Sequence, residues 1–508
     1  MRSLKQGGSP RKALIVRVLC CCAVYLTPPA LLSAQEAPSQ PVSLNGAVDL
    51  ALSNYPAIRA ARGQAAAARA GIELARTAYL PRADLLWQEN RTTTNNIFGL
   101  LLLQSVIPSI SGPVLGKKSY TSAWGSAGGV LFSWEPFDFG LRSANVALAR
   151  TVVAQAEAGV EVTRLDVATS AADAFLAVLA AEQAVRAAQA NVDRLQVFAQ
   201  SVHVLVQQQL RPGADASRAD AERAAARNQL IQAQLTVTLN QATLAEALGI
   251  AGTTVAIDAG PLLELPPARA LPHPYLASHP LARGQAATVE TVRAREHVLD
   301  RSYLPRLNLQ ASFFGRGTGA QLNGRLDEGE GLLPDTPNWA GGLSVSFPLF
   351  EIFELRARRQ AEASNEEAER ARYAQTIQSL TAQDARARAL IEAAQRIADN
   401  TPLQLTAAQE AETQVRTRYQ FGLATVTDVA DVQRLLTQAE TDNAVARLGV
   451  WRALLAAARS QGDLTPFLEH VLNSPSPRSK YDNPAQKRHQ FLSSGLPRSG
   501  MALSSKFS

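Results

Sequence analysis

The sequence contains the tetrapeptide Tyr-Leu-Pro-Arg twice, at Tyr79–Arg82 and again at Tyr303–Arg306. Each copy follows a helix-like run and precedes a strand-like one. When the sequence is compared with itself at an offset of 224 residues, ten of the 34 positions from Leu52 to Leu85 are identical. An internal duplication of this size predicts two copies of one structural unit in place of several unrelated domains.

The two ends of the chain differ from this duplicated body. Residues 1–34 combine basic residues, a long apolar stretch and the small residues Ser33-Ala34, a pattern typical of a secretory signal peptide. An uncleaved membrane anchor is the alternative for this segment. Residues 463–508 are rich in serine, proline and basic residues, which predicts a disordered basic tail.

Composition and motifs argue against several classes of function. All three cysteines lie in the predicted signal peptide, so the mature chain is expected to have no disulfide and no cysteine-based metal site. The net charge of +6 comes from the two ends, because residues 35–462 carry a net charge of −2, and no nucleic-acid surface is predicted. The sequence also lacks a phosphate-binding loop, a serine-centred elbow and a dinucleotide fingerprint. We therefore predict that the protein is not an enzyme and uses no cofactor or metal.

Two very long amphipathic runs dominate the body of the chain. From Leu141 to about Gln208 apolar residues recur at spacings of three, four and seven, which predicts a helix of about 68 residues. A run of similar length extends from Glu354 to Gln420, with a break predicted at Thr401-Pro402. After a short turn each run is followed by a second amphipathic segment, at Ser217–Leu248 and Thr427–Gln461. Helices this long must pack lengthwise, so the prediction is a pair of long antiparallel helical hairpins.

Four shorter segments alternate between apolar and polar residues and are predicted to be strands. They are Arg82–Thr92, Trp124–Trp134, Leu307–Phe313 and Trp339–Phe347. Trp124 and Trp134 share one face, and ten residues tilted near 45° span roughly 23 Å, close to the apolar band of about 25 Å in outer-membrane barrels. We therefore predict membrane strands with an aromatic girdle formed by Trp87, Trp124, Trp134, Trp339 and Phe347. A soluble sheet with a tryptophan-rich core is the alternative.

Four strands are too few to close a barrel. An open sheet edge in lipid leaves backbone N–H and C=O groups without partners, at a cost of several kcal/mol each. The chain is therefore predicted to oligomerise so that its outer strands pair with those of other copies.

The ordered set of motifs resembles the outer-membrane efflux protein family, the TolC-like channels, over about residues 43–462. The first repeat is placed at residues 43–248, a connector at 249–275 and the second repeat at 276–462. The matching motifs are Leu50-Ala51-Leu52 with Pro56, the two Tyr-Leu-Pro-Arg segments, Phe137-Asp138-Phe139-Gly140-Leu141-Arg142, Tyr419-Gln420-Phe421-Gly422-Leu423 and Thr427-Asp428-Val429.

This resemblance implies a mainly α-helical fold with a membrane β-barrel part. It implies a homotrimer in which four strands per chain complete a 12-stranded barrel and the helical hairpins form a periplasmic tunnel. The implied location is the outer membrane, in contact with its lipid and with a long periplasmic extension. The implied partners are a periplasmic adaptor (membrane fusion) protein and an inner-membrane pump.

The sequence departs from the family pattern at two positions. Phe353 stands where the family usually has glycine, after the fourth strand. Gln209 stands in the first hairpin where the second has Gly422, and Gly213 is the alternative turn residue there.

Carboxylates are predicted at the turns of both hairpins. Asp215 and Asp428 each lie six residues after equivalent turn positions, Gln209 and Gly422. The resemblance places Asp428 and Asp431 at the periplasmic entrance, where threefold symmetry would turn each into a ring of carboxylates that favours cations. Asp215 is a further candidate for this pore constriction. The alternative is that these aspartates only stabilise the first turn of a helix.

Two further predictions concern the hairpin tips. Tyr419 and Asp215 lie at equal depth on opposite hairpins, and we predict a hydrogen bond between them that keeps the tip closed. Adaptor docking is predicted at the exposed tip residues Arg418, Gly422, Leu423 and Gly213, with ordinary helix capping as the alternative.

The sequence thus predicts a passive export channel of a tripartite efflux or type I secretion system. The alternative is a periplasmic coiled-coil scaffold or adaptor without a pore. The motif Tyr-Leu-Pro-Arg itself is predicted only to end a helix and begin a strand, because proline interrupts helices. Function is expected at the far ends of the hairpins, roughly 100 Å away by the helical rise.

Overall fold

The computed structural model describes residues 41–93, 121–267, 275–319 and 330–474. The predicted signal peptide at residues 1–34 lies outside these ranges, as do residues 475–508 of the predicted tail.

The order helix, strand, strand, long helix, second helix occurs twice along the chain. The first set consists of α1 Leu44–Asn54, α2 Pro56–Thr77, β1 Arg82–Thr93, β2 Ser122–Phe137, α3 Leu141–Gln207 and α4 Gly213–Ala247. The second set consists of α5 Pro280–Ser302, β3 Arg306–Thr318, β4 Thr336–Ser346, α6 Ile352–Gln420, α7 Val426–Gln461 and α8 Thr465–Asn473. The strands form one antiparallel sheet in the order β1, β2, β3, β4. The fold is therefore mostly helical with a single four-stranded sheet.

The two long helices confirm the predicted lengths. Helix α3 has 67 residues and α6 has 69. The break predicted at Thr401-Pro402 is wrong, because Pro402 lies inside α6. Proline removes the N–H that would bind the carbonyl of Ala398, and the buried hydroxyl of Thr401 donates to that carbonyl at 3.5 Å. The helix therefore continues through the proline.

The hairpins pack side by side through their long helices. Helix α3 packs on α4, α6 packs on α7, and α3 also contacts α7, which joins the hairpins. The guanidinium of Arg194 on α3 binds both carboxylate oxygens of Glu440 on α7, at 2.9 and 3.0 Å. Two more ion pairs link the same helices, Arg452 with Asp173 at 3.0 Å and Arg459 with Asp166 at 3.2 Å.

The largest hydrophobic core lies at a level where both repeats and the C-terminal helix meet. Phe175 of α3 and Trp451 of α7 are fully buried in it. Phe467 and Val471 of α8 are also buried here, and the ring of Phe467 lies 6.3 Å from that of Trp451. The prediction of disorder beginning at residue 463 is therefore wrong for Thr465–Asn473. The apolar residues of this segment recur at a helical spacing of four, a signal obscured by the Ser-, Pro- and basic-rich composition of residues 463–508 as a whole.

The junction between β2 and α3 is held by a buried ion pair. The Nε atom of Arg142 donates to Asp138 Oδ2 at 2.9 Å, and both residues are 7% exposed. The same guanidinium donates to the carbonyl of Ala78 at 3.2 Å and lies 4.7 Å from the ring centre of Tyr79. The first Tyr-Leu-Pro-Arg segment and the motif that begins at Phe137 therefore contact each other.

Both hairpins turn with the same backbone geometry. Gln209 has φ 62° and Gly422 has φ 79°, in the left-handed region. In each turn the next residue donates its N–H to a carbonyl five residues back, Leu210 to Leu205 at 2.9 Å and Leu423 to Arg418 at 2.8 Å. Gln209 therefore takes the conformation of the glycine that it replaces. Gly213 is instead the first residue of α4, so its suggested role as the turn residue is wrong.

The strained backbone of Gln209 leads to a first prediction. The left-handed conformation costs an L-residue about 1–2 kcal/mol, a cost that glycine avoids. Glycine, however, loses more conformational entropy on folding, which offsets part of this gain. We expect Gln209→Gly to raise the free energy of unfolding by up to about 1 kcal/mol, measured by urea unfolding in detergent. Gln207→Gly, the same change in the last turn of α3, is the control and should lower stability, because glycine is unfavourable within a helix. A lower midpoint for Gln209→Gly would contradict the proposed strain.

Candidate functional site

An arginine of the first hairpin holds a tyrosine of the second at the tips. Arg211 lies in the turn between α3 and α4, and Tyr419 lies in the last turn of α6. The Nη2 atom of Arg211 donates to the backbone carbonyl of Tyr419 at 3.0 Å. Its guanidinium also lies 4.7 Å from the centre of the Tyr419 ring. Arg211 was not predicted from the sequence as a site residue, and a basic residue two positions after Gln209 was the signal available for this contact.

Tyr419 lies inside a small core at the tip. Its side chain is 3% exposed, and its ring packs edge-on against Phe198 at 5.1 Å. The Oη atom is buried without a hydrogen-bond partner within the described residues. The predicted hydrogen bond between Tyr419 and Asp215 is therefore not formed, because the ring is fixed by Phe198 and Arg211 in another position. Burial raises the pKa of Tyr419 and the nearby Asp215 adds to this, although Arg211 lowers it.

Asp428 has a defined capping role. The Thr425 hydroxyl accepts from the N–H of Asp428 at 3.3 Å, and Asp428 Oδ2 accepts from the N–H of Thr425 at 2.8 Å, which forms a capping box. These hydrogen bonds with Thr425 lower the pKa of Asp428. Asp215 occupies the same third position of α4, but that helix begins after Pro212 and has no side-chain cap. The two aspartates are thus equivalent in position and different in local bonding.

Asp431 belongs to an ion-pair network across the two hairpins. Arg434 contacts Asp431 at 3.1 Å within α7 and Glu222 of α4 at 2.6 Å. The side chain of Asp431 is 61% exposed, so one of its faces is free to line a pore.

The outer surface of the tips is apolar. Leu423 is 68% exposed, and the carbonyl of this residue accepts a long hydrogen bond of 3.4 Å from Arg418. Phe421 and Leu210 are 76% and 65% exposed and were not singled out in the sequence. Leu210 and Leu423 each follow the left-handed residue of their turn. Alignment of the two repeats could therefore have identified these two leucines as equivalent. The two tips thus present apolar side chains at equivalent places.

The sheet has two chemically different faces. The register aligns Leu85 with Val130, Phe313 and Trp339 across all four strands. The face to which this row belongs is mainly apolar and carries Leu85, Trp87, Trp124, Val130, Phe132, Trp134, Leu309, Phe313, Trp339, Leu343 and Val345, with Glu89, Arg91 and Ser126 as exceptions. The opposite face carries mainly polar and small residues, including Arg82, Asp84, Gln88, Asn90, Ser133, Arg306, Asn308, Gln310, Ser312, Ser344 and Ser346, with Leu86, Leu131 and Phe314 as exceptions.

The apolar face is open to the surroundings in the single chain. Leu85 is 83% exposed and Trp339 is 77% exposed. All four strand tryptophans lie on this face, with Trp124 and Trp134 towards opposite ends of β2 and Trp87 in a row between them. Phe347 follows the last residue of β4 and is 55% exposed. Apart from one end, where Pro334 and Leu333 lie over Gly315 and Gly317, the face therefore lacks a covering layer. The position of each aromatic residue relative to a lipid boundary stays a prediction.

Two helix faces are also uncovered. On α4 the exposed residues Ile231, Leu235 and Leu239 recur every four positions. On α6 exposed apolar residues occur at Leu390, Ile397 and Leu403. These stripes lie on α4 and α6, whereas the main contact between the hairpins is that of α3 with α7.

Metal binding has no support within the described residues. They contain no group of three side chains arranged to hold a metal ion. His203 near the first tip contacts Asp220 at 2.9 Å, but no third ligand accompanies this pair. Among the same residues no helix has the length and apolar character needed to cross a membrane.

A family model matches most of the body of the chain. Residues 47–250 and 271–462 match the model described as outer membrane efflux protein. None of the curated proteins matches the chain.

Several solved structures have a similar fold. The outer membrane protein VceC of Vibrio cholerae is 18% identical, with a TM-score of 0.65 over 83% of this chain and 96% of that one. CusC is 14% identical, with a TM-score of 0.68 over 85% of this chain and 99% of that one. The outer membrane channel MtrE of Neisseria gonorrhoeae, solved in its open state, is 20% identical, with a TM-score of 0.65 over 83% and 89%. At these identities the likeness shows the fold.

Proposed function

Because this chain belongs to the outer membrane efflux protein family and has the fold of its channels, we propose that three copies form a passive export duct. The barrel would cross the outer membrane, in which proteins of this fold reside, and the helical hairpins would extend into the periplasm. The duct would receive substrates from a periplasmic adaptor and an inner-membrane pump of a tripartite efflux or type I secretion system. Energy would come from the pump, since the sequence contains no nucleotide-binding motif.

The sheet carries this proposal. Its apolar face lacks a covering layer apart from one end, and its edge strands β1 and β4 have no further strand beside them within the described residues. In lipid, pairing β1 of one chain with β4 of the next would satisfy both edges and close a barrel of twelve strands. The alternative of a periplasmic scaffold without a pore does not account for an exposed face that carries four tryptophans.

The uncovered helix stripes support the same assembly. Helix α4 lies at one side of the paired hairpins and α6 at the other, so each stripe has a neighbour only if a second chain supplies it. Packing α4 of one chain against α6 of the next would cover Leu235 and Ile397 together. The hairpins of three chains would then enclose a continuous tunnel.

The tips provide the two properties that such a duct needs at its periplasmic end. The contact of Arg211 with Tyr419 would keep the hairpins together in the closed state. Rings of Asp428 and Asp431 would line the entrance, and Asp215 would lie at the same depth. The exposed residues Leu210, Phe421 and Leu423, together with Arg418, would form the docking surface for the adaptor, with Gly422 and Gly213 in the flanking backbone.

Assembly and conductance test the proposal together. We expect the protein extracted from outer membranes to run as a heat-dissociable trimer and to form ion-conducting pores in planar bilayers. Leu235→Ala should lower the dissociation temperature of the trimer, because about half of a leucine side chain, worth about 1 kcal/mol per interface, is no longer buried. Thr236→Ala on the same helix is the control. A soluble, non-conducting monomer would favour the scaffold function.

A further inference from the structure

The arginine of each Tyr-Leu-Pro-Arg segment lies on the polar face of the sheet. Arg82 begins β1 and pairs with Ser133, which pairs with Gln310 of β3. Arg306 begins β3 and pairs with Ser346 of β4. Both arginines are exposed. In a barrel with its apolar face towards lipid, both side chains would therefore point into the lumen.

The stagger of the strands brings the two arginines to one level. The row that contains Arg82 meets β3 at Gln310, four residues beyond Arg306. Four residues extend roughly 13 Å along a strand. The distance from β1 to β3 across the sheet is two strand spacings, or roughly 10 Å. A shift of this size is close to that produced by strands tilted near 45°, as in membrane barrels. Each arginine also lies four or five positions beyond the end of a helix, so both would lie where the helical tunnel meets the barrel.

The two arginines differ in their counter-charges. Arg82 contacts the carboxylate of Asp84 at 3.2 Å. At the position of Asp84 the second repeat has the neutral Asn308, and Arg306 has no ion-pair partner among the residues that the structure describes. Glu135 lies in the irregularity between Trp134 and Phe137, opposite Asn308, and is a second carboxylate near this level, but it forms no ion pair with either arginine among the described residues. Of the two arginines only Arg82 is paired with a carboxylate within the described residues, so each chain contributes one unpaired guanidinium, that of Arg306, at this level.

We propose that Arg82 and Arg306 of three chains form a ring of guanidinium groups in the lumen, which favours passage of solutes that carry carboxylate or phosphate groups. This inference rests on the trimeric channel proposed above. Twelve strands spaced by about 4.8 Å and tilted near 45° enclose a barrel about 26 Å across. Arginine side chains that extend inward would thus lie within about 10 Å of the axis, the Debye length at 0.1 M salt.

Ion selectivity in planar bilayers tests the ring. With a threefold KCl gradient starting from 0.1 M, the double variant Arg82→Gln, Arg306→Gln should raise the ratio of potassium to chloride permeability about twofold or more over that of the wild type. Arg306→Glu should move the reversal potential further than Arg306→Gln. The differences should shrink near 1 M salt, where the Debye length is about 3 Å.

A matched control lies on the same strand. Arg91 is on the apolar face of β1 and contacts the ring of Trp124 at 5.2 Å, so Arg91→Gln removes the same charge from outside the lumen. If the reversal potential of the double variant equals that of the wild type, or if Arg91→Gln shifts it equally, the proposed ring is wrong. The proposed channel function would not be affected by either result. A wild-type protein without conductance would instead overturn the proposed function.

Discussion

Replacing Arg211 by alanine is expected to loosen the periplasmic tips and to raise the resting conductance of the assembled channel several-fold. The substitution removes the hydrogen bond to the carbonyl of Tyr419 at 3.0 Å and the stacking of the guanidinium on its ring at 4.7 Å. A charge-assisted hydrogen bond contributes about 1.5–3 kcal/mol and a cation–π contact about 0.5–2 kcal/mol. Even a loss of about 2 kcal/mol per chain would change the ratio of closed to open tips about thirtyfold.

The predicted effect is specific to the guanidinium. Lysine at position 211 keeps the charge but lacks the planar group that stacks and donates together, so Arg211→Lys should resemble Arg211→Ala more than the wild type. Arg223→Ala is the control near the same tips, because the exposed Arg223 forms its ion pair within its own helix, with Asp220 at 3.3 Å. Single-channel conductance and the sensitivity of cells to a large antibiotic are the measurements.

The hydroxyl of Tyr419 distinguishes the contact with Arg211 from the hydrogen bond to Asp215 that was predicted from the sequence. Its Oη atom has no partner in the described part of the chain, so Tyr419→Phe should leave conductance unchanged. Burial raises the pKa of the phenol, which stays protonated at neutral pH. If Tyr419→Phe opens the channel and Arg211→Ala does not, a hydroxyl contact made in the assembled state holds the tip instead.

The elements of this fold could be predicted because their signals are local. A proline-free run with apolar residues at helical spacing gave α3 almost to the residue, and alternation gave all four strands. Pro402 and α8 were missed because each depends on other parts of the fold. The hydroxyl of Thr401 lies within hydrogen-bond distance of the carbonyl that the proline leaves open and of Asn443 on α7, and Thr465–Asn473 becomes a helix when Phe467 packs on Trp451.

The tip contacts could be predicted only in part. Equal depth on the two hairpins identified Tyr419 and Asp215 as neighbours, and Asp215 does influence the pKa of Tyr419. Which of two nearby groups binds the tyrosine depends on the rotation of each helix about its axis and on side-chain rotamers. These follow from packing against Phe198 and its neighbours, which a sequence pattern does not specify.

Replacing Arg142 by methionine is expected to destabilise the junction between β2 and α3 by about 3–5 kcal/mol. The substitution leaves the carboxylate of Asp138 buried without its opposite charge, and a broken buried ion pair costs about this much. It also removes the contacts of the guanidinium with Ala78 and Tyr79. The double variant Arg142→Met, Asp138→Asn should cost less than Arg142→Met alone, because no unpaired charge remains.

The pH dependence of this effect has a definite sign. Burial by itself would raise the pKa of Asp138, but hydrogen bonds from the N–H and guanidinium of Arg142 and from the N–H of Gly140 outweigh it and lower the pKa. A carboxyl with a lowered pKa contributes stability above its unfolded value of about 3.9, and this contribution is lost as the pH falls through the folded value. The difference between wild type and Arg142→Met should therefore be full at pH 7 and should shrink below about pH 4.

Urea unfolding in detergent at both pH values measures this difference, and Arg76→Met supplies the control. Arg76 forms an exposed ion pair with Glu73 one turn before the first Tyr-Leu-Pro-Arg segment, and an exposed pair contributes less than about 1 kcal/mol. If Arg142→Met lowers the free energy of unfolding by no more than Arg76→Met does, the buried ion pair does not stabilise the junction. The same conclusion follows if the effect of Arg142→Met is larger at acidic pH. In that case proline and backbone geometry alone would fix the angle between helix and strand, as the sequence first indicated.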